Sequence, residues 1–266
     1  MTAWKDILRQ CTPYGLIQRR RRQARLRRLG LFPGKLNPVD CEEAVSTCRF
    51  DLWPESIRNN SDWTLVDVGA NEGDFIRAVH KLASPAAVIA FEPLPTLAPI
   101  LASLLEKIPN GWLKGVAVGA APGELRLKCT ANARLSSFLE PRHGIEQSYE
   151  PGDYKVSDSI NVPVVRLDDE IPSNTRIGLL KIDVQGYELE ALRGARQTLS
   201  HTEALLLEIN YVSHYEGAAS FEEVQQFLHA AGFRLYGVSA PYVDNERPLW
   251  ADAMYVPANT GIKQPC

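Results

Sequence analysis

The sequence predicts an α/β protein built on a doubly wound sheet, mostly parallel with one antiparallel strand, and with helices on both faces. From residue 62 onward, short apolar runs alternate with segments of helical periodicity, and the connections are short. This is the pattern of parallel strands joined by crossover helices. A polar stretch at about residues 120–170 lacks a helical period and predicts a small antiparallel insert.

The first half of the sheet is predicted from three apolar runs separated by two helices. Runs of this kind are expected where both faces of a sheet are covered. Asp74 is the expected N-cap of the first helix and Thr96 that of the second, whose first turn holds Pro99. In the second helix, the residues expected to face the core are Leu97, Ile100, Leu101, Leu104, Leu105 and Ile108. The predicted strands are Thr64–Val68, Ala87–Phe91 and Trp112–Val118.

The insert and the second half of the sheet follow. Within the insert, Glu124–Cys129 and Ile160–Arg166 are strand-like, and a mobile loop is expected around Pro141–Asp153. A helix is then predicted over Glu188–Leu199. Another helix begins at a capping box formed by Ser220 and Glu223. The remaining predicted strands are Ile177–Val184, Ala204–Ile209, Arg234–Val238 and Ala253–Val256.

Charge is distributed unevenly along the chain. Residues 1–39 hold ten Lys and Arg but one acid, whereas the whole chain has a net charge of −3. We therefore divide the chain into a basic N-terminal helical extension (1–61), a main domain (62–258) and a C-terminal tail (259–266). The arginine-rich segment Arg19–Arg28 has two interpretations. It makes peripheral contact with an anionic membrane surface, or it is a solvated helix that docks through apolar side chains. Those side chains are Leu16, Ile17, Leu26, Leu29 and Leu31.

Cysteine usage and targeting signals indicate a reducing compartment. The chain has five cysteines, an odd number, and no two of them are spaced as CxxC. We therefore expect free thiols rather than disulfides or a zinc site. The N-terminus lacks the apolar region of a secretory signal. No run of 18 apolar residues predicts a membrane span. The expected location is the cytoplasm.

A ligand site is expected beyond the carboxyl ends of the parallel strands, where open α/β sheets bind ligands. The loop Asp67–Gly73 follows the first strand, and its glycines permit a tight turn. It is neither a Walker A motif nor GxGxxG, because Asn71 stands where the second glycine would be. Glu92 ends the second strand, 23 residues after Gly69, which is the position of a carboxylate that accepts hydrogen bonds from ribose hydroxyls.

Two later strands also end in polar residues. Lys181 and Asp183 share one face of an otherwise apolar strand, and Glu208 and Asn210 share a face of the next. Charges in a buried strand need a partner or a function. A Lys181–Glu208 ion pair is the structural interpretation. In the functional interpretation, Asp183 faces the same cleft as Gly69 and Glu92.

Together these segments resemble the FkbM family of methyltransferases, which use S-adenosylmethionine and have the class I Rossmann-like fold. The resemblance spans about residues 62–257, and the arginine-rich segment lies outside it. The family usually has glutamate where Gln185 stands, so the resemblance implies no carboxylate role at that position of this chain. The matching segments are Val66–Phe75, Ala90–Pro93, Val116–Gly119, Leu135–Pro141, Val164–Ile171, Leu179–Ala195 and Leu205–Ile209.

The resemblance implies S-adenosylmethionine as cofactor. The glycine loop would wrap its methionine end, Glu92 would hold the ribose, and Gly115–Gly119 would border the adenine. Acidic groups suit this ligand because it carries no phosphate. The cofactor-binding residues expected on this basis are Asp67, Gly69, Ala70, Asn71, Gly73, Glu92, Pro93, Ala117 and Asp183.

The expected reaction is in-line displacement by an acceptor hydroxyl, held about 3 Å from the methyl carbon. An alcohol needs a base or a metal at neutral pH. Asp183 is the first candidate, with His143 and His214 as alternative bases and Lys181 as a further catalytic candidate. Oxygen ligands from Asp183, Glu208 and Asn210 would suit Mg²⁺; no metal ligand set is assigned from the sequence.

The insert is expected to recognise the acceptor, a small molecule or a glycan sugar. Its polar and aromatic residues are Arg134, Ser136, Ser137, Arg142, His143, Tyr149 and Tyr154. Three alternatives stay open. A nicotinamide dehydrogenase lacks its GxGxxG motif here. A non-catalytic module would dock through the arginine-rich segment. Nucleic-acid methylation is disfavoured by the acidic body, so we expect no nucleic-acid partner. The oligomeric state is left open.

Overall fold

The computed structural model describes residues 38–145, 152–244 and 246–261. Several predictions fall outside these residues. They concern the arginine-rich segment Arg19–Arg28, the apolar side chains proposed to dock it, Tyr149, and much of the predicted mobile loop and tail. The membrane contact therefore stays a prediction.

The elements are named here in chain order. The strands are β1 Thr64–Val68, β2 Ala87–Phe91, β3 Gly111–Lys114, β4 Ala117–Val118, β5 Gly123–Thr130, β6 Val156–Val165, β7 Ile177–Ile182, β8 Thr202–Asn210, β9 Phe233–Val238, β10 Tyr242–Asp244 and β11 Arg247–Pro257. The helices are α1 Pro38–Cys48, α2 Glu55–Arg58, α3 Asp74–Leu82, α4 Ala98–Leu105, α5 Leu167–Glu170, α6 Glu188–Arg193, α7 Arg196–Leu199 and α8 Phe221–Ala230. Short 3₁₀ helices cover Phe50–Leu52 and Ala133–Leu135.

The main sheet has the strand order β3-β2-β1-β7-β8-β11, and β9 and β10 pair with the outer edge of β11. Strands β3, β2, β1, β7 and β8 are parallel, whereas β11 is antiparallel to β8, β9 and β10. The predicted fold class, a doubly wound Rossmann-like sheet with one antiparallel strand, is confirmed.

The two faces of the sheet carry separate hydrophobic cores because side chains alternate along each strand. On β1, Leu65 packs with Ile76 of α3 on one side. Val66 packs with Leu192 of α6 on the other side. Trp53, which lies ahead of the predicted domain boundary at residue 62, is buried in the same cluster as Leu65. Packing is therefore continuous across that boundary.

The third predicted strand, Trp112–Val118, is wrong as one element. It divides into β3, which ends the main sheet, and β4, which pairs with β6 of the insert. The chain turns at Gly115 and leaves the main sheet there. The insert is otherwise as expected, since β5 and β6 form an antiparallel pair.

Three helix details differ from the predictions. Gly73, with φ of +82°, rather than Asp74, precedes the first turn of α3, and the Asp74 carboxylate binds Arg77 instead of capping the helix. Ile100 is 43% exposed because it lies on the outer side of α4, whose N-cap is Leu97 rather than Thr96.

The predicted helix Glu188–Leu199 is interrupted at Gly194, where a Cβ atom would lie 2.0 Å from the carbonyl oxygen of Gly119. The capping box at Ser220 and Glu223 is confirmed.

No described helix has the length and apolar character needed to cross a membrane. Cys48 and Cys129 carry free thiols, and Cys48 is fully buried. Cys11 and Cys266 lie outside the described residues.

Candidate active site

A cleft of about 410 Å³ opens at the carboxyl ends of β1, β2, β7 and β8. This is the edge at which an open parallel sheet leaves room for a ligand. The predicted site residues that line the cleft are Gly69, Ala70, Asn71, Glu92, Pro93, Ala117, Lys181, Asp183 and His214. Asp67 and Gly73 do not line it. His143 is exposed on a loop and does not line it either.

The glycine loop is fixed by the neighbouring strands. The backbone N–H groups of Gly69 and Ala70 both donate to the carbonyl oxygen of Phe91, at 3.0 and 3.1 Å. Gly69 has φ of +81°, and a Cβ atom there would lie 1.9 Å from the carbonyl oxygen of Asp183. Glycine is therefore required where the ends of β1 and β7 meet. Gly73 instead permits close packing of the loop on Leu104.

We predict that Gly69→Ala destabilises the fold strongly. The left-handed backbone costs about 1–3 kcal/mol for a non-glycine residue, and the contact with backbone at Asp183 adds to this cost. Gly115→Ala is the control, because a Cβ atom there has no neighbour within 4 Å. Thermal unfolding of both variants checks the prediction, and equal melting temperatures would contradict it.

Glu92 is a buried carboxylate at the end of β2. Its Oε2 accepts a hydrogen bond from the backbone N–H of Asn71 at 2.8 Å, and its Oε1 accepts one from Leu94 at 2.9 Å. Burial raises the pKa of Glu92 above its usual range, although these two donors act in the opposite direction. Each carboxylate oxygen can accept more than one bond, so Glu92 is oriented by the backbone and can still bind hydroxyl donors.

Lys181 is the cation of an ion-pair cluster at the floor of the cleft. Its Nζ lies 3.3 Å from Oδ1 of Asp67 and 3.5 Å from Oδ2 of Asp183. Burial acts to lower the pKa of Lys181, but the two carboxylates outweigh burial and raise it above its ordinary value. The structure pairs Lys181 with these residues and not with Glu208, so the suggested Lys181–Glu208 ion pair is wrong. Asp67 is fully buried and contacts the site through Lys181.

Gln185 links Asp183 to the insert. Its side-chain Nε2 donates to Oδ1 of Asp183 at 2.8 Å, and its Oε1 lies 2.9 Å from Oη of Tyr215. Ser137 of the insert donates to the Gln185 carbonyl oxygen at 2.7 Å. An amide serves here because its N–H group donates to Asp183, which a carboxylate could not do when ionised.

Glu188 stabilises the same loop from below. Its Oε1 accepts hydrogen bonds from the backbone N–H groups of Val184 and Gly186, at 3.0 and 3.1 Å. Burial raises the pKa of Glu188 to about 7. Sequence reasoning treated Glu188 as the start of a helix and missed this role.

The far end of the cleft carries two further acids. Asp252 lies opposite Glu208 in the β8–β11 ladder, and Glu208 follows Leu207, the register partner of Ile182. Asp252 is paired with Arg49, whose Nε lies 2.5 Å from its Oδ2. Asp252 and Arg49 line the cleft, as does Trp250. The sequence analysis missed these three residues. A charged residue within an otherwise apolar strand, Asp252 in β11, could have indicated a site residue.

His214 is 3% exposed, and its Nδ1 lies 3.2 Å from Oη of Tyr154. Burial lowers the pKa of His214 to about 4, so it is a poor proton acceptor at neutral pH. Arg134 of the insert pairs with Glu72 and Asp74, which joins the insert to the glycine loop across the cleft. Within the described residues, no group of three or more His, Cys, Asp or Glu side chains is arranged to hold a metal ion.

The profile of the Methyltransferase FkbM domain matches residues 67–235. The chain is 24% identical over 207 residues to Methyltransferase 1 of Beauveria bassiana (71% of this chain, 76% of that protein). It is 26% identical over 191 residues to 2-O-methyltransferase NoeI of Sinorhizobium fredii (65% of this chain, 77% of that protein). A solved structure of Methyltransferase FkbM from Methylobacillus flagellatus shares 16% identity with a TM-score of 0.49; the match covers 74% of this chain and 44% of that one. Arg49 and Asp252 fall outside the matched domain.

Proposed function

The chain belongs to the FkbM family of methyltransferases, and from this premise we propose that it is an S-adenosylmethionine-dependent O-methyltransferase. It moves a methyl group to a hydroxyl of a small polar acceptor, a sugar of a glycan or a natural product. The likeness to a protein named as a 2-O-methyltransferase supports transfer to oxygen.

The observation that carries this proposal is Glu92 beside the glycine loop. A ribose presents two hydroxyl donors, and a carboxylate held by backbone N–H groups is a matching acceptor. The cleft also lacks the GxGxxG loop that binds a pyrophosphate, and it is lined by acids such as Asp183 and Glu72. These residues fit a cofactor that is cationic at sulfur and carries no phosphate.

We assign separate roles in the reaction to the cofactor and to Asp183. S-adenosylmethionine, when bound, supplies an electrophilic methyl group and a good leaving group. Asp183 lies between the glycine loop and the acids of β8 and β11. We assign it the role of positioning the acceptor, by accepting a hydrogen bond from a hydroxyl next to the one that is methylated. Its own orientation is fixed by Lys181 and Gln185. Such positioning of a nucleophile makes a large contribution to rate.

The insert is assigned to acceptor recognition. Arg134, Ser136, Ser137 and Tyr154 line the cleft, whereas Arg142 and His143 are exposed and do not line it. The residues that line it offer both hydroxyl and guanidinium groups, which suit the hydroxyl groups of a sugar.

Asp183→Asn is expected to lower turnover by roughly 100-fold, with cofactor affinity changed little. The amide has nearly the same shape but is a weaker hydrogen-bond acceptor for the neighbouring hydroxyl that holds the acceptor in place. Steady-state rates and calorimetric cofactor binding check the two halves of the prediction. Unchanged turnover would remove Asp183 from the catalytic site.

The proposed function is tested by incubating the protein with methyl-tritiated S-adenosylmethionine and a panel of methyl glycosides. We expect radiolabel in at least one glycoside, on oxygen. Binding of S-adenosylmethionine without transfer to any glycoside would contradict the sugar acceptor. Transfer to a nitrogen or carbon acceptor instead would contradict the O-methyltransferase assignment.

A further inference from the structure

Three carboxylates lie in a row across adjacent strands at the floor of the cleft. They belong to Asp183, which directly follows β7, Glu208 on β8 and Asp252 on β11. Asp252 and Glu208 are register partners. Asp183 directly follows Ile182, and Glu208 directly follows Leu207; Ile182 and Leu207 are themselves register partners. Register partners point to the same face of a sheet, and all three residues line the cleft.

The outer two carboxylates are each held by a cation, and the middle one is not. Asp183 pairs with Lys181, and Asp252 pairs with Arg49. Among the residues that the structure describes, no Lys, Arg or His forms an ion pair with Glu208. Its Oε1 accepts a hydrogen bond from the side-chain amide of Asn210 at 3.3 Å. Of these three carboxylates, Glu208 thus has the most capacity to take a proton from a ligand.

We propose that Glu208 is the general base that takes the proton from the acceptor hydroxyl, with the acceptor bound between Asp183 and Trp250. This inference rests on the proposed function. As the acceptor oxygen forms its bond to the methyl carbon, the bond from that carbon to sulfur breaks and sulfur keeps the electron pair. The hydroxyl proton passes to the Glu208 carboxylate, which returns it to solvent after release of the product.

The surroundings of Glu208 suit this role. Burial raises its pKa well above the ordinary value, and the charges of Asp183, Glu188 and Asp252 act in the same direction. A carboxylate with a raised pKa is a stronger base than an ordinary carboxylate. The charged and titratable groups that surround Glu208 are Asp183 and Lys181 from β7 and its end, Asp252 on β11, Glu188 on α6, Arg49 ahead of the first 3₁₀ helix, and His214 and Tyr215 after β8.

Part of the acceptor end of the cleft comes from outside the matched family domain, which covers residues 67–235. Thr47 and Arg49 approach it from the N-terminal side, and Trp250 and Asp252 approach it from β11. The Trp250 ring stacks on Tyr242, with centroids 5.5 Å apart and 12° between the planes. An aromatic face beside carboxylates can hold a sugar ring, which has apolar C–H faces and hydroxyl edges.

The test compares Glu208→Gln with the wild type and with Glu203→Gln, a control on the same strand whose side chain pairs with Arg176. We expect Glu208→Gln to bind S-adenosylmethionine within threefold of wild type but to transfer methyl to the glycoside panel at least 100-fold more slowly. Glu203→Gln should behave as wild type. Transfer by Glu208→Gln within threefold of wild type would overturn the proposal.

The pH profile separates a base from a merely structural residue. In wild type, kcat/KM should fall on the acid side as Glu208 becomes protonated, and this decline should be absent in Glu208→Gln. Asp183→Asn should keep the decline but move it to lower pH, because a negative neighbour has been removed. An acid-side decline that persists in Glu208→Gln would contradict the base assignment.

A carboxyl titration decides the proposal even when no glycoside is methylated. In ¹³C-glutamate-labelled protein with S-adenosylhomocysteine, NMR should show a carboxyl signal that titrates well above the ordinary range of a glutamate and is missing in Glu208→Gln. Glu188→Gln should identify the second such signal. If Glu208 titrates at its ordinary pH, the proposal fails, whereas absent glycoside transfer alone contradicts the proposed acceptor.

Discussion

Replacing Glu92 with glutamine is expected to weaken S-adenosylmethionine binding by about 100-fold or more. Hydrogen bonds to a charged group contribute about 1.5–3 kcal/mol each, and a ribose offers two donors. The amide also places an N–H₂ group against the backbone N–H of Asn71 or Leu94, each of which now donates to the carboxylate. Calorimetric titration with S-adenosylmethionine measures the loss.

The matched control for Glu92→Gln is Glu106→Gln. Glu106 is exposed at the end of α4 and does not line the cleft. The affinity of the Glu106→Gln variant for S-adenosylmethionine should therefore match that of the wild type. Far-ultraviolet circular dichroism establishes that both variants keep the fold. A folded Glu92→Gln variant with unchanged affinity would remove Glu92 from the cofactor site.

Replacing Lys181 with methionine is expected to destabilise the protein by about 3–5 kcal/mol, the cost of leaving a buried charge without its partner. Asp67 is fully buried, and Lys181 is its ion-pair partner. Urea unfolding measures the change in the free energy of unfolding. Asp67→Asn should cost less, because Lys181 keeps its contact with Asp183.

The double variant Asp67→Asn/Lys181→Met is the control for this second prediction. It removes both buried charges, so it should recover most of the stability lost in Lys181→Met. A double variant as unstable as Lys181→Met would show that lost packing, including the contact of Lys181 with the Phe75 ring, dominates.

The sequence predicted the sheet well because its signal is local. A buried parallel strand is a short apolar run, and β1, β2 and β7 each begin where their runs begin. The errors come from contacts between distant residues. Ala117 and Val118 leave the main sheet because Val164 and Val165 of the insert pair with them. At Gly194, where the predicted helix is interrupted, a Cβ atom would collide with the distant Gly119 carbonyl oxygen.

The candidate site was predictable only where it follows from topology. The carboxyl ends of parallel strands meet at one edge of the sheet. The sequence therefore predicted that Gly69, Glu92 and Asp183 lie in one cleft. The sequence did not predict Arg49 as a site residue, because Arg49 lies before β1 and reaches the cleft by pairing with Asp252. Nor did it separate the roles of Asp183 and Glu208, because that distinction depends on which carboxylate has a cation beside it. The catalytic roles stay predictions.

The measurement that tests the central claim most directly is a calorimetric titration of the wild-type protein with S-adenosylmethionine, S-adenosylhomocysteine and NAD. The cleft should bind both S-adenosyl ligands at micromolar concentration and should not bind NAD, since its loop lacks the glycine that a pyrophosphate needs. No binding of either S-adenosyl ligand, or equal binding of NAD, would contradict the account.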